Sequence, residues 1–158
     1  MEDKKKIIIL SCLLLIMMLI ITLLSINIKK KSTFVKPEFD SNVLTESPKN
    51  IDYKDSIITV SEGYNLYING LPIIDNHNLI VNLISLPENN VWIKIRVLDE
   101  FENIVGESGI VKPGEYLKQI KLDNKIKSND KITYMIIGYE IDTYLSAGTI
   151  QLNTRVGE

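Results

Sequence analysis

The chain has 158 residues, with 18 lysines and arginines against 20 aspartates and glutamates, and a single cysteine, Cys12. One cysteine excludes a disulfide framework and any zinc site built from paired cysteines. The net charge of −2 conceals an asymmetry: residues 1–32 carry six lysines against two acids, whereas residues 33–158 carry 12 basic against 18 acidic residues, and an acidic body excludes nucleic acid as a partner because phosphate binding needs a basic surface.

In chain order, residues 1–6 form a short polar head and residues 7–28 an uncharged, proline-free apolar run. A helix of that length spans about 33 Å and matches a hydrocarbon core of roughly 30 Å. Ser11, Thr22 and Ser25 can return their hydroxyls to the helix backbone, so they do not spoil the span. A buried core helix would need a larger protein around it. A cleaved signal peptide would be shorter and followed by small residues at a cleavage site. The stretch 9–12 loosely resembles a lipobox, but too little apolar sequence precedes Cys12 and a long apolar run follows it. The expectation is therefore a single membrane-spanning signal-anchor. Lysines 4–6 and 29–31 flank both ends, so the positive-inside rule barely discriminates. A short head most simply stays in the cytoplasm, which places the C-terminal body outside the cell membrane.

Residues 29–55 contain Pro37, Pro48 and many polar residues without a sustained period, which predicts a polar linker. As a flexible coil it would span roughly 30 Å. Residues 56–158 predict a β domain of roughly a hundred residues, enough to bury a core without staples. Alternation is strict over 91–97, with Val91, Ile93, Ile95 and Val97 on one face and Trp92, Lys94 and Arg96 on the other. It is as strict over 149–156. The stretch 131–141 is apolar on both faces, as in a central strand. Shorter strands are predicted at 57–60, 64–69, 79–86, 103–107 and 115–122, separated by turn chemistry at Asn69-Gly70, 87–90, Asp99-Glu100, Pro113-Gly114 and 128–130. No helical period follows residue 33. This pattern predicts an all-β fold, an antiparallel immunoglobulin or fibronectin III-like β-sandwich, with a small open barrel as the alternative.

Two turn motifs carry a family resemblance: Pro87-Glu88-Asn89-Asn90 between two strands, and Glu107-Ser108-Gly109-Ile110-Val111-Lys112-Pro113-Gly114 after the next hairpin. With a late tyrosine-rich strand and a final alternating strand, residues 64–156 resemble small membrane-anchored or exported β-sandwich proteins of Gram-positive bacteria. Some of these resemble accessory proteins of mobile or conjugative elements. The resemblance implies a fold and a place in the cell envelope; it carries over no catalytic residue.

Candidate chemistry is sparse. His77, beside Asp75, lacks the partners of a general base or metal site and reads as a solvated loop histidine. Asp123, Asn124 and Asp130, and separately Asp99, Glu100, Glu102 and Asn103, offer oxygens for Ca²⁺ without the spacing of a calcium loop; charged hairpin tips account for both. Glu107-Ser108-Gly109 lacks the first glycine of a nucleophile elbow. No cofactor, metal site or enzyme activity is expected. The aromatics are more informative, with Trp92, Tyr134 and Tyr139 forming a candidate interaction surface, because planar rings anchor interfaces or stack on sugars. The expected function is a non-enzymatic, membrane-tethered β domain that binds a protein partner as an accessory subunit of a cell-envelope assembly. A carbohydrate or cell-wall polymer is the second class of ligand, with Trp92 as its platform.

Overall fold

The computed structural model describes residues 2–28, 34–46, 57–59, 63–123 and 126–158, in two units, 1–35 and 36–158. In the first unit a single helix, α1, runs over Glu2–Ile28, so residues 2–6 of the expected head are helical too. Its stretch Lys4–Thr22 is long and apolar enough to cross a membrane, and the described side chains from Leu10 to Thr22 are exposed. Thr22 Oγ1 donates to Leu19 O at 2.8 Å, returning its hydroxyl to the helix backbone as its place in the run requires.

Among its described residues the second unit has ten strands: β1 (Val43–Leu44), β2 (Ile57–Thr59), β3 (Asn65–Tyr67), β4 (Ile73–Asp75), β5 (Asn78–Ser85), β6 (Val91–Leu98), β7 (Ile104–Glu107), β8 (Tyr116–Lys121), β9 (Lys131–Glu140) and β10 (Ser146–Arg155). They form two antiparallel sheets. One has the order β1-β8-β5-β3-β2, with β4 also paired to β5; the other has the order β10-β9-β6-β7. Both contribute to one core. Leu79, Val81 and Leu83 of β5 and Leu117 and Ile120 of β8 meet Ile93, Ile95 and Val97 of β6 and Ile132, Tyr134 and Ile136 of β9. Period-two alternation produces this layer, since each strand sends every second side chain inward. The core therefore comes from β-branched and leucine side chains, with Tyr64 and Tyr134 as its largest members.

All the strands expected from 57 onward are present within a few residues, and two more were not anticipated. β4 forms a hairpin with β5 through Asn76 and His77, whose φ angles of 47° and 66° are both left-handed. That is the signature of a type I′ turn, for which asparagine is favoured. The polar stretch read as a loop is thus a two-residue turn, with His77 exposed at its tip. β1 lies within the stretch assigned to the linker and pairs with β8, Val43 opposite Leu117. Residues 36–46 belong to the β unit, so the sequence reading placed its start too late. Polarity misled here, because this segment contributes mostly backbone hydrogen bonds. The rest of the expected linker, 29–33 and 47–55, lies outside the described residues, as does Asn124.

The two quoted turn motifs are fold devices. Asn89 is buried and clamps the start of β3: its Nδ2 donates to Asn65 O at 2.7 Å and its Oδ1 accepts from Asn65 N at 2.8 Å. Ser108 N donates to Ile95 O at 2.9 Å, and its Oγ accepts from Ile95 N at 2.9 Å, closing the irregular end of the β6–β7 ladder. Gly114 takes a φ of 80°, which glycine adopts without steric cost, and donates to Ser85 O.

Candidate functional site

The outer face of the β10-β9-β6-β7 sheet can be laid out from its register. Trp92 lies opposite Tyr139, Lys94 opposite Ile137, Arg96 opposite Met135 and Leu98 opposite Thr133. Beyond β9, Thr149, Gln151, Asn153 and Arg155 of β10 face Ile137, Met135, Thr133 and Lys131. The odd-numbered residues of β9, those of β10 from Thr149 onward and the even-numbered residues of β6 therefore share one face.

One end of this face is an aromatic block. Trp92 is only 8% exposed; it packs edge-on against Phe39, centroids 5.0 Å apart, and against Tyr144 at 4.9 Å. Lys112 Nζ sits 4.4 Å from the Phe39 centroid and Lys36 Nζ 4.3 Å from that of Tyr144, so a cation occupies the face of each flanking ring. The segment that delivers Phe39 is a strap tied to the stretch after β7. Ile110 N donates to Glu38 O at 2.8 Å, Asp40 N to Ile110 O at 2.9 Å, and Gly109 N to the Asp40 carboxylate at 2.8 Å. A Cβ at position 109 would lie 2.5 Å from Asp40 N and 2.6 Å from Asp40 Cα, so only glycine admits the strap.

The middle of the face carries an ion trio. Glu107 on β7 pairs with Lys94 Nζ at 3.0 Å and with Arg96 Nε at 3.2 Å. Lys94 is mostly buried, its stem lying along the sheet while the ammonium reaches Glu107. Partial burial pushes the Glu107 carboxyl up, but hydrogen bonds and charge from Lys94, then from Arg96, outweigh this and hold it below the usual carboxylate range.

At the far end Lys131 and Arg155 stand directly opposite each other, two like charges with no ion-pair partner among the described residues. They border a cleft of about 710 Å³ that Leu71, Thr133, Asn153 and Thr154 also line. Glu100 is the one carboxylate on its wall.

Of the three residues expected to form an interaction surface, the structure brings two together and separates the third. Trp92 and Tyr139 are opposed on the outer face, but Trp92 is covered by the strap and by Tyr144, and only Tyr139 stays half-exposed. The alternation of β6 put Trp92 on the correct face, and nothing in that strand announced its cover from residue 39. Tyr134 points into the core, fully buried, and burial pushes its hydroxyl strongly up. It lies at an even position of β9, on the inward side, and so is no contact residue. A sugar platform at Trp92 is likewise not open for stacking.

The remaining candidates hold structural posts. The Asp99 carboxylate accepts from Phe101 N at 2.9 Å and Asn103 N at 2.8 Å, and closes the β6–β7 loop. Asp130 accepts from Lys127 N at 2.8 Å in the turn before β9. The Ser108 hydroxyl donates to Gly109 O at 2.7 Å. Among the described residues no three His, Cys, Asp or Glu side chains gather as a metal site would require. Sequence reasoning missed the strap, the ion trio and the Lys131–Arg155 pair. The last two were legible as outward charges on β6, β9 and β10, but the neighbours that decide their roles lie on other strands.

Compared with protein-family models, curated proteins and solved structures, this chain finds no match in any of the three.

Proposed function

We propose that the protein is a membrane-tethered β domain that binds another protein through the outer face of its four-stranded sheet. The observation that carries this reading is the composition of that face. Half-exposed Met135 lies between the polar Gln151 on one side and the Arg96–Glu107 ion pair on the other, and half-exposed Tyr139 lies between Ser146 and the covered Trp92. No further layer covers these residues among those described. Interfaces favour this arrangement, with aromatic and methionine side chains at the centre and charge at the rim.

In this reading α1 crosses the membrane as a signal-anchor and the β unit stands on the extracytoplasmic side, as an accessory subunit of a cell-envelope assembly. The fold is read as an immunoglobulin or fibronectin III-like sandwich. Its support is strand order: β3-β5-β8 over β10-β9-β6-β7 corresponds to strands A-B-E over G-F-C-C′ of that class. The turn motifs at 87–90 and 107–114 support a relationship to the small envelope proteins of Gram-positive bacteria. A wall polymer is the weaker reading, since the ring expected to stack on sugar is covered.

A photo-crosslinking residue placed at Met135 or at Tyr139, in cells of the native host, tests the proposal. Lys118, exposed on the other sheet, serves as control. A discrete protein adduct from 135 and 139, absent from 118, is the expected result. Equal labelling from all three positions, or none from any, would sink it. Digestion of a C-terminal epitope in intact protoplasts tests the orientation, and protection until lysis would reverse it.

A further inference from the structure

We propose that the β10 edge is a docking site for an extended, acidic peptide strand, which would join the sheet beside β10. The inference rests on the protein-binding reading and names the kind of partner.

Edges of the two sheets are finished unequally. β1, β2 and β4 run for two or three residues. β7 has four, and its far side is sealed: Gly106 bridges Leu122, and Asp123 N donates to Val105 O at 2.7 Å. Short or covered edges are how soluble sheets avoid unwanted pairing. β10 is different. It is ten residues long, has no proline, and has a single charge, at its last residue Arg155.

The direction of its free backbone groups follows from the hydrogen bonds. Val156 N donates to Asp130 O at 3.0 Å, so residue 156 bonds toward β9. Antiparallel pairing alternates bonded and non-bonded pairs, so Thr154, Leu152 and Ile150 also bond inward. Thr149, Gln151, Asn153 and Arg155 turn their N–H and C=O groups away from β9. On β6, Ile93 and Ile95 bond to Val111 and Ser108, leaving the even residues to bond β9, which agrees with this phase. One position further on, the outward N–H of Gly157 donates to Pro72 O at 2.7 Å. The edge thus already takes a backbone acceptor at its end. Among the described residues Thr149, Gln151 and Asn153 present open pairs of groups, while at Arg155 the N–H is open and the C=O accepts from Thr154 Oγ1 at 3.4 Å.

Unpaired backbone donors and acceptors repeating every second residue are complementary to an extended strand, not to a helix or a lipid surface. Charge selects among strands. Lys131 and Arg155 place two cations at the end of this edge, between a cleft walled by Glu100 and a second one that Asp99, Glu100 and Asp130 line, and neither cation forms an ion pair among the described residues. A strand with an acidic side chain facing Arg155 supplies the missing partner.

The test uses the full chain in lipid nanodiscs and the acetylated, amidated peptide Asp-Val-Thr-Val-Thr-Val-Asp, whose two acids serve either strand direction. Bound peptide should slow amide exchange at 149, 151, 153 and 155 at least tenfold, with no change at Lys118. The same peptide N-methylated throughout should not bind. Gln151→Pro removes an outward N–H that β9 does not use, and should abolish protection. Arg155→Glu leaves the backbone intact, and should lose the acidic peptide tenfold while gaining the version with lysines for the two acids. Absence of protection by the peptide overturns the proposal, as does unchanged affinity in Arg155→Glu. Protection of the four amides that rises with protein concentration alone would make the edge a seam between copies and overturn it too. Crosslinks from 135 and 139 that persist without peptide binding would remove the edge proposal alone; peptide binding without those crosslinks would remove the face reading alone.

Discussion

The two ends of the outer sheet face are finished in opposite ways. At the aromatic end every group is engaged: Trp92 is wedged between Phe39 and Tyr144, and each of those rings carries a lysine. At the cationic end Lys131 and Arg155 face each other with no ion-pair partner among the described residues, an arrangement that costs stability in an isolated sheet. Satisfied groups explain themselves by the fold. Unsatisfied ones that a single substitution could remove point instead to something the fold alone does not need. From sequence alone Trp92 is the expected contact, and nothing in the chain order pairs Lys131 with Arg155.

The largest expected effect comes from the aromatic end. Trp92→Ala should destabilise the β unit by about 3–5 kcal/mol, as for large aromatic truncations in packed sites, read as a fall in thermal midpoint of the full chain. A loss below about 1 kcal/mol would mean the ring is not structural and would revive the contact reading. Gly109→Ala follows. The added methyl meets the backbone of Asp40, so the strap must move, at about 1–3 kcal/mol. Trp92 is the only tryptophan, so iodide quenching of its fluorescence reports the uncovering directly. Unchanged quenching would show that the strap shifts without opening and that Tyr144 alone shields the ring.

The strands were legible because burial on one face imposes period two on 91–97 and 149–156, and because 131–140 carries Met135, Ile137 and Tyr139 on its outer face beside the buried Ile132, Tyr134 and Ile136 of its inner one. The strap was not legible. Residues 36–42 bind through backbone groups, the Asp40 carboxylate, the Phe39 ring and the Lys36 ammonium, and their partners, at 92, 109–112 and 144, lie far along the chain. β4 escaped for a different reason: its turn uses Asn76-His77, and a histidine at the second left-handed position hides a type I′ hairpin usually announced by glycine. For the candidate site, alternation assigned Trp92, Lys94 and Arg96 to the outer face correctly. Exposure on that face depends on what crosses it, and no strand's own residues state that. Tyr134 shows the converse, since 131–141 is apolar on both sides and its inward side could be chosen only from neighbouring strands.

Glu107 gives a smaller effect and links the two ends. Its folded carboxyl lies below the unfolded value, so the trio's contribution is fully present above the unfolded carboxylate range and is lost as pH falls through the folded value. Glu107 is about half exposed, which limits the contribution to less than about 1 kcal/mol. Denaturation midpoints of Glu107→Gln and the parent chain, followed downward from pH 7, should differ at neutral pH and draw together as the pH falls and Glu107 is protonated. A gap that does not narrow on acidification would assign the effect to packing of the side chain and not to its charge.

The smallest expected effect has the opposite sign and bears most directly on the contrast. Lys131→Thr removes one of two opposed cations and places a β-former on a strand, so it should leave stability unchanged or raise it by a few tenths of a kcal/mol. The same substitution should lower affinity for the acidic peptide without altering exchange elsewhere in the sheet. Stability and binding would then move in opposite directions at one residue, as expected where a charge is kept for a partner and not for the fold. If Lys131→Thr instead destabilises the domain by 1 kcal/mol or more, the pair has a structural acceptor within this chain. The cationic end would then be finished like the aromatic one, and the asymmetry between the two ends would no longer argue for a ligand there.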